Sequence, residues 1–349
     1  IFTNQYIDTI KEKFQRDRDC RPTDYTEMKA ALGLLYLAGV FRGGHRNLKD
    51  FWATDGLGVD IFRMTTSLRR FSFLLRCLRF DDRTTRDERH AVDKLAPIRE
   101  FFMCFLQNCR THYHLGQNVT IDEMLPAFRG RCGFRQYIPS KRNKYGIKIF
   151  CLCDAKLYYT ANMEIYCGQQ PEGPFRQSNS AYDVVMRLSE PIYQSGRNIT
   201  ADNWFSSLNL VRKLEEKKLS YVGTIRKNRR ELPQIFVFPQ GRAEYSTIFG
   251  YTTNETLVSY SPKKGKTVVL LSSMHVGSTD VSEEIPHKPE VILFYNNPKS
   301  GVDIVDKLCA TYNVARSTRR WPMVIFYHLL NIAAINAHVI FLGNKNEYC

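Results

Sequence analysis

Two hydrophobic rhythms divide this chain. Up to about residue 117 the apolar positions recur at helical spacing. Ile7, Ile10 and Phe14 share one face, and the run from Met28 to Val40 follows the capping pair Thr23-Asp24 and stops at Gly43-Gly44. Further helices are predicted over 61–78, rich in arginine, and over 95–113, with a charged loop at 81–93 between them. From residue 118 the rhythm shortens. Runs rich in β-branched and aromatic residues at 119–121, 145–153, 158–166 and 198–201 predict strands, and another is expected at 221–225. Helical patterns intervene at 181–194 and 205–218. Three strands, a helix, a strand, a helix and a strand make an α/β order, and right-handed crossovers set the strands around Asp122 and Asp202 side by side in a mixed sheet.

Residues 229–290 break that order. Short runs at 247–251, 256–261 and 267–273 read as hairpins, with Lys263-Lys264-Gly265 as a turn. A strand is expected at Val291–Tyr295, followed by a helix carrying Asp303. The stretch Trp321–Gly343 is long enough to cross a bilayer, but His328, Asn331, Asn336 and His338 interrupt it. Pro322 suits a first helical turn, so a buried helix is predicted, with His338 satisfying an internal hydrogen bond. His45 and His90 fall in polar stretches and are expected to face solvent.

Composition adds a partner class. The 349 residues carry 50 Lys+Arg against 35 Asp+Glu, a net charge of +15, with 43% hydrophobic and 13% aromatic residues. That is a folded chain long enough for about two domains, and its excess charge points to a polyanion, nucleic acid before membrane. None of the ten cysteines, Cys349 included, forms a C-x-x-C pair, which argues against a zinc finger within this span. Several lie in apolar runs, as buried thiols of a reducing compartment do. The chain starts at Ile1 without a signal segment and is expected to be a piece of a longer polypeptide. Glycine-rich phosphate loops, G-x-S-x-G elbows and H-E-x-x-H pairs are absent from the sequence.

Three aspartates stand out: Asp122 in NVTIDEML, Asp202 in NITADNWF and Asp303 in SGVDIVD. Carboxylates far apart in sequence could converge at a sheet edge and hold hard divalent cations, which act on phosphodiesters in pairs about 3.5–4 Å apart. Each also has an ordinary reading. Asp202 could cap a helix beginning near Trp204, Ser300 and Asp303 have capping-box spacing, and Asp122 could pair with Arg129 or Arg131. Glu123, Asp154 and Asp306 compete for the same role, Asp306 lying on the helical face of Asp303. An acid-free basic stretch follows Asp122: Arg129, Arg131, Arg135, Lys141, Arg142, Lys144 and Lys148, interleaved with Phe128, Phe134, Tyr137 and Tyr145. Such a stretch can neutralise phosphates and stack on bases, or be a solvated hairpin over core aromatics. Two further basic clusters are Arg226, Lys227, Arg229 and Arg230, and Arg316, Arg319 and Arg320.

Taken in order, VTIDE, FRGRC, YIPSK, KYGIK, NITADNWFSS, GVDIVD and RRWP resemble the piggyBac transposase family over nearly the whole chain. The resemblance implies a ribonuclease H-like mixed-sheet catalytic core interrupted by a β-rich insertion and flanked by helices. Its parts would be a helical dimerisation and DNA-binding segment (1–117), the first part of the core (118–228), the insertion (229–290), a last strand and helix with the third Asp (291–312), and a C-terminal helical segment (313–349). It further implies a nuclear, homodimeric, cut-and-paste enzyme acting on double-stranded DNA at TTAA targets through hairpin-ended intermediates. Asp122, Asp202 and Asp303 would be its catalytic triad, with Asp306 beside them and two Mg²⁺ ions, Mn²⁺ substituting. The basic residues named above would position DNA. Gly133 and Arg142 stand where the family commonly has proline, and the family's acidic N-terminal region and cysteine-rich end-reading domain fall outside this sequence. The alternative is a domesticated derivative that binds DNA or chromatin without transposition.

Overall fold

The computed structural model describes residues 1–345; Cys349 and the His45 side chain lie outside the described residues. Helices α1 (Phe2–Ile10), α2 (Tyr25–Val40), α3 (Leu48–Phe51), α4 (Asp60–Thr65), α5 (Leu68–Cys77), α6 (Arg86–Val92) and α7 (Arg99–Thr111) precede the first strand. Asp24 caps α2 by accepting the Glu27 N–H, as its position after Thr23 predicts. The arginine-rich helix expected over 61–78 is two helices. Thr66 is extended and Ser67 caps α5 through the Arg70 N–H, because hydroxyl residues compete better as caps than as helix interior. The charged loop at 81–93 contains α6, on which His90 is exposed.

Strands β1 (Asn118–Met124), β4 (Ile149–Asp154), β5 (Thr160–Ile165), β6 (Asn198–Ala201) and β7 (Ser220–Thr224) lie in the order β5-β4-β1-β6-β7, with the short hairpin β2 (Gln136–Tyr137) and β3 (Tyr145–Gly146) apart from them. The β1–β6 and β6–β7 pairs are parallel, and β1–β4 and β4–β5 antiparallel. Helices α8 (Ala181–Ser189) and α9 (Leu208–Glu216) make the crossovers. Strand alternation sorts the core: Phe150 and Leu152 of β4 pack with α8 and α9, whereas Ile149, Cys151 and Cys153 face the opposite side.

The segment after α10 (Gln234–Val237) does not form a separate sheet. Its strands β8 (Thr247–Tyr251), β9 (Thr256–Lys263) and β10 (Lys266–Ser272) extend the central one beyond β7, for eight strands in all. Gly265, at φ +76°, makes the β9–β10 turn. This placement explains a difference from the sequence expectation. Val291–Tyr295 is not a strand but lies within α11 (Glu290–Asn296), following Pro289. The free edge of β7 is already taken by β10, so the apolar run buries Val291 and Ile292 against Val222 and Leu270 as a helix instead.

Helix α12 (Gly301–Thr311) carries Asp303, and α13 (Trp321–Gly343) closes the chain. Helix α13 is apolar enough to span a membrane, yet it packs inside the fold. Asn336 accepts the Thr160 N–H and donates to its carbonyl, both at 2.9 Å, and Asn331 accepts the Val314 N–H at 3.0 Å. His338 is exposed and has no hydrogen bond among the described residues; the buried histidine of α13 is His328, whose pKa burial pushes down to about 4.

Candidate active site

The site begins with one register. In the parallel β1–β6 pair Ile121 stands opposite Ala201, so the next residues, Asp122 and Asp202, come side by side where that pair ends. Strand β1 runs on to Met124 against β4, with Asp122 opposite Cys151. Side chains alternate along it. Val119 and Ile121 pack with α8 and α9, while Thr120 and Asp122 take the face covered by α12. Gly301 lets that helix in: a Cβ there would sit 2.8 Å from Thr120 Oγ1. The Thr120 hydroxyl also donates to the Pro298 carbonyl, fixing the turn before α12. Asp303 therefore arrives in the first turn of a helix docked on the strand of Asp122.

The capping alternatives resolve by geometry. Asp202 Oδ1 accepts the Trp204 N–H at 2.8 Å, which shapes a turn; the helix itself starts at Leu208 and is capped by Ser207. Ser300 makes no side-chain cap, so Asp303 belongs to no capping box. Asp154 is spent on backbone, accepting the N–H groups of Gly116, Lys156 and Leu157. Asp122 accepts the Glu123 N–H at 2.7 Å, and the cation it faces is Lys141 instead of Arg129 or Arg131.

Lys141 organises the electrostatics. Its ammonium donates to the Glu123 carbonyl at 2.9 Å and lies 3.6 Å from Asp303 Oδ1. Burial opposes its charge, but Asp122, Glu123, Asp303 and Asp306 outweigh that and hold its pKa above the ordinary lysine value. One ammonium does not balance so many acids. Burial raises Asp122 to about 7 against the pull of Lys141, with Glu123 and Asp202 adding repulsion. Burial likewise raises Glu123 and Asp306. Lys148 is the second cation, 3.9 Å from Glu123 and lying over the rings of Phe150 and Trp204 at 4.5 and 4.6 Å. Burial lowers its pKa, and the nearby acids only partly offset this.

Among the described residues no three acidic, histidine or cysteine side chains already stand at ion-holding geometry. The donor chemistry nonetheless suits a hard divalent cation. It is all carboxylate oxygen, under-neutralised, with an ammonium lodged where positive charge is wanted.

The predicted basic residues separate into four groups. Lys141 and Lys148 belong to the acidic site. Arg129, Arg131, Arg135, Arg142 and Lys144 are exposed, with Arg135 bridging the carbonyls of Arg129 and Gly130 and both guanidinium groups near the Tyr145 ring. Phe128 and Phe134 are core, whereas Tyr137 and Tyr145 are exposed and paired at 4.8 Å. Arg226 donates to Asn203 at 3.3 Å and Arg229 to the Ser206 carbonyl at 3.0 Å, which sets that cluster against the Asp202 turn; Lys227 and Arg230 are free at the surface. Of the last cluster only Arg319 is exposed. Arg316 is buried, and Arg320 donates to the carbonyls of Leu75, Arg76 and Leu78 at the end of α5. Tyr295 escapes sequence reasoning altogether. It sits on α11 and feels Asp202, Asp122 and Asp303, with burial the main cause of its raised pKa.

A β5-β4-β1-β6-β7 mixed sheet with carboxylates at its central parallel pair and a third on the docking helix defines a ribonuclease H-like α/β core of the kind found in DDE transposases. The chain belongs to the piggyBac-type transposases: the family model described as Transposase IS4 matches residues 2–338. Human PiggyBac transposable element-derived protein 2 is 24% identical over 89% of this chain, and human PiggyBac transposable element-derived protein 3 is 22% identical over 87%. The chain spans 54% of the length of each. The solved piggyBac transposase synaptic complex with hairpin DNA superposes with a TM-score of 0.91 at 37% identity, covering 99% of this chain and 72% of that one.

Proposed function

We propose that this chain is the catalytic core of a metal-dependent cut-and-paste transposase that cleaves and joins DNA strands at TTAA sites in the nucleus, working as a homodimer. The single observation that carries the reading is the under-neutralised acid group built from Asp122 on β1, Asp202 directly after the parallel strand β6, and Asp303 on α12. Asp122, Asp202 and Asp303 would hold two Mg²⁺ or Mn²⁺ ions, with Asp306 close behind. When bound, such ions polarise the attacking oxygen and stabilise the leaving one.

The chain's own groups do the rest. Asp122, on a central strand and tethered to the Glu123 N–H, fixes one carboxylate rigidly; Asp202 is fixed by its turn to Trp204. Lys141 keeps the acid group from repelling itself apart before loading, and has to give way to the ions that replace its charge. Exposed Arg129, Arg131, Arg135, Arg142, Lys144, Arg226, Lys227 and Arg230 would bind phosphates and so position the strand without reading bases.

The test is Asp202→Asn on a donor with matched terminal repeats, with cleavage, strand transfer and DNA binding measured together. Loss of cleavage and joining with binding retained is expected. Full cleavage by that variant overturns the assignment, and a wild-type protein that binds DNA but never cuts it would be a domesticated derivative.

A further inference from the structure

The strands added beyond β7 give the acid group a neighbour of a different chemistry. Strand β10 pairs with β7, and α11 packs across both, with Val291 and Ile292 against Val222 and Leu270. The turn that follows, Pro298–Ser300, crosses to β6 and β1, where the Pro298 carbonyl accepts the Thr120 hydroxyl. Tyr295 lies one helical turn after Val291, on the same face, and just before that crossing, so it is held where β6 and β7 meet. Register fixes what lies beneath it. Ala201 stands opposite Gly223 in the parallel β6–β7 pair, so Asp202 and Thr224 come next to each other. Thr224 shares the face of Val222, on which α11 lies.

The surroundings keep the phenol neutral. Burial raises its pKa, the Thr224 side chain opposes this, and the charges of Asp202, Asp122 and Asp303 raise it further. Those carboxylates act on the hydroxyl through charge alone and accept no hydrogen bond from it. Carboxylates have no proton to give, and Lys148 is turned to Glu123 and to the rings of Phe150 and Trp204. Lys141 is a donor here too, but it occupies the place of a cation. Tyr295 therefore supplies what the acids lack: a hydrogen-bond donor that adds no charge and leaves the site's demand for cations untouched.

We infer that Tyr295 is a further catalytic residue, whose hydroxyl donates a hydrogen bond to a non-bridging oxygen of the scissile phosphodiester set against Asp122, Asp202 and Asp303. The inference rests on the transposase reading for its substrate. The phenol keeps its proton throughout; bonds form and break only at the attacking and leaving oxygens. The hydrogen bond strengthens as negative charge gathers on the phosphoryl oxygens, so it favours the transition state over the bound donor. The β-rich segment thereby gains a part in the chemistry, because β10 and α11 are what hold Tyr295 beside Asp202.

The experiment compares the whole chain as wild type and as Tyr295→Phe in single-turnover cleavage of a donor with matched terminal repeats. The scissile phosphate is natural or carries sulfur at one or the other non-bridging position, and Mn²⁺ is used because it accepts sulfur more readily than Mg²⁺. The variant is expected to cleave the natural donor roughly 10- to 100-fold more slowly, with donor affinity and melting temperature unchanged. Sulfur in place of the contacted oxygen already weakens the hydrogen bond, so with that isomer the variant loses little more, while with the other isomer its full loss persists. Equal slowing on all three donors, a lowered melting temperature, or wild-type cleavage by the variant overturns the role of Tyr295. Each of these leaves the catalytic reading of the acids intact, since Asp202→Asn tests that separately. A wild-type chain that never cuts removes that reading, and the role of Tyr295 with it.

Discussion

Two groups of acids in this molecule are treated in opposite ways. In the helical part, Glu27 receives a two-pronged guanidinium from Arg70 at 2.8 and 2.6 Å, and that bond brings its pKa down to about 2. Burial works against Asp93, yet Arg99, the Leu95 N–H and Gln170 hold it below the usual carboxylate range. Asp81 has both Arg86 and Arg89. In the sheet part, Asp122, Glu123, Asp303 and Asp306 have Lys141 among them and Lys148 beside Glu123, with no arginine salt bridge among the described residues, and Asp122 rises to about 7. Asp303 is exposed and the other three are half-buried; what separates the two groups is the supply of cations. A fold that saturates its structural carboxylates with arginine and leaves one group short has kept that group for something else.

The largest expected effect follows from that deficit. Asp202→Asn lowers metal-dependent cleavage by roughly 10³-fold while leaving melting temperature nearly unchanged, because the asparagine can still accept the Trp204 N–H. A cleavage assay beside a thermal melt checks both halves. Arg70→Met is the reverse case. It strands Glu27 and the carbonyls of Arg21 and Pro22, and is expected to remove about 3–5 kcal/mol of stability in chemical denaturation. A loss below about 1 kcal/mol would dissolve the contrast from the structural side.

The two groups should also answer pH with opposite signs. Asp122 binds its proton more tightly folded than unfolded, so its contribution is complete below its ordinary value of 3.8 and is lost as pH rises through about 7. Glu27 runs the other way: its contribution is present above 4.5 and is lost as pH falls toward 2. Metal-free protein should therefore lose stability between about pH 4 and 7, by at most about 4 kcal/mol from Asp122, and Asp122→Asn should flatten much of that slope. Melts in chelator across this range decide it; an unchanged slope in the variant means that Asp122 is not the group titrating.

The smallest effect sharpens the comparison most. If Lys141 holds the place of a cation, Lys141→Ala should bind Mn²⁺ about five- to tenfold more tightly, as followed by the Mn²⁺ spin-resonance signal, and melt earlier in chelator. Unchanged or weaker Mn²⁺ binding would mean the ammonium is not competing for the site.

Much of this was legible along the chain, but unevenly. The runs of β-branched and aromatic residues around β4 and β6 and the strand-helix-strand order carry the mixed sheet, since strands buried on both faces read as such runs. The strand expected at Val291–Tyr295 failed because an apolar pentapeptide satisfies either period, and only the occupied edge of β7 settles which. Among basic residues, the sequence could not tell Arg319 from Arg320. The first is free and the second caps a helix, a difference made by the end of α5 passing beside it.

What the sequence determined by itself is local: where strands and helices begin, which acids follow them, and how far positive charge exceeds negative. Those depend on neighbours within a few residues. The convergence of Asp122, Asp202 and Asp303, and the lodging of Lys141 among them, were decided only by tertiary structure. A parallel register and a glycine-permitted helix contact set those positions. An acid's charge state depends on every group packed around it, and that packing joins residues far apart in the chain.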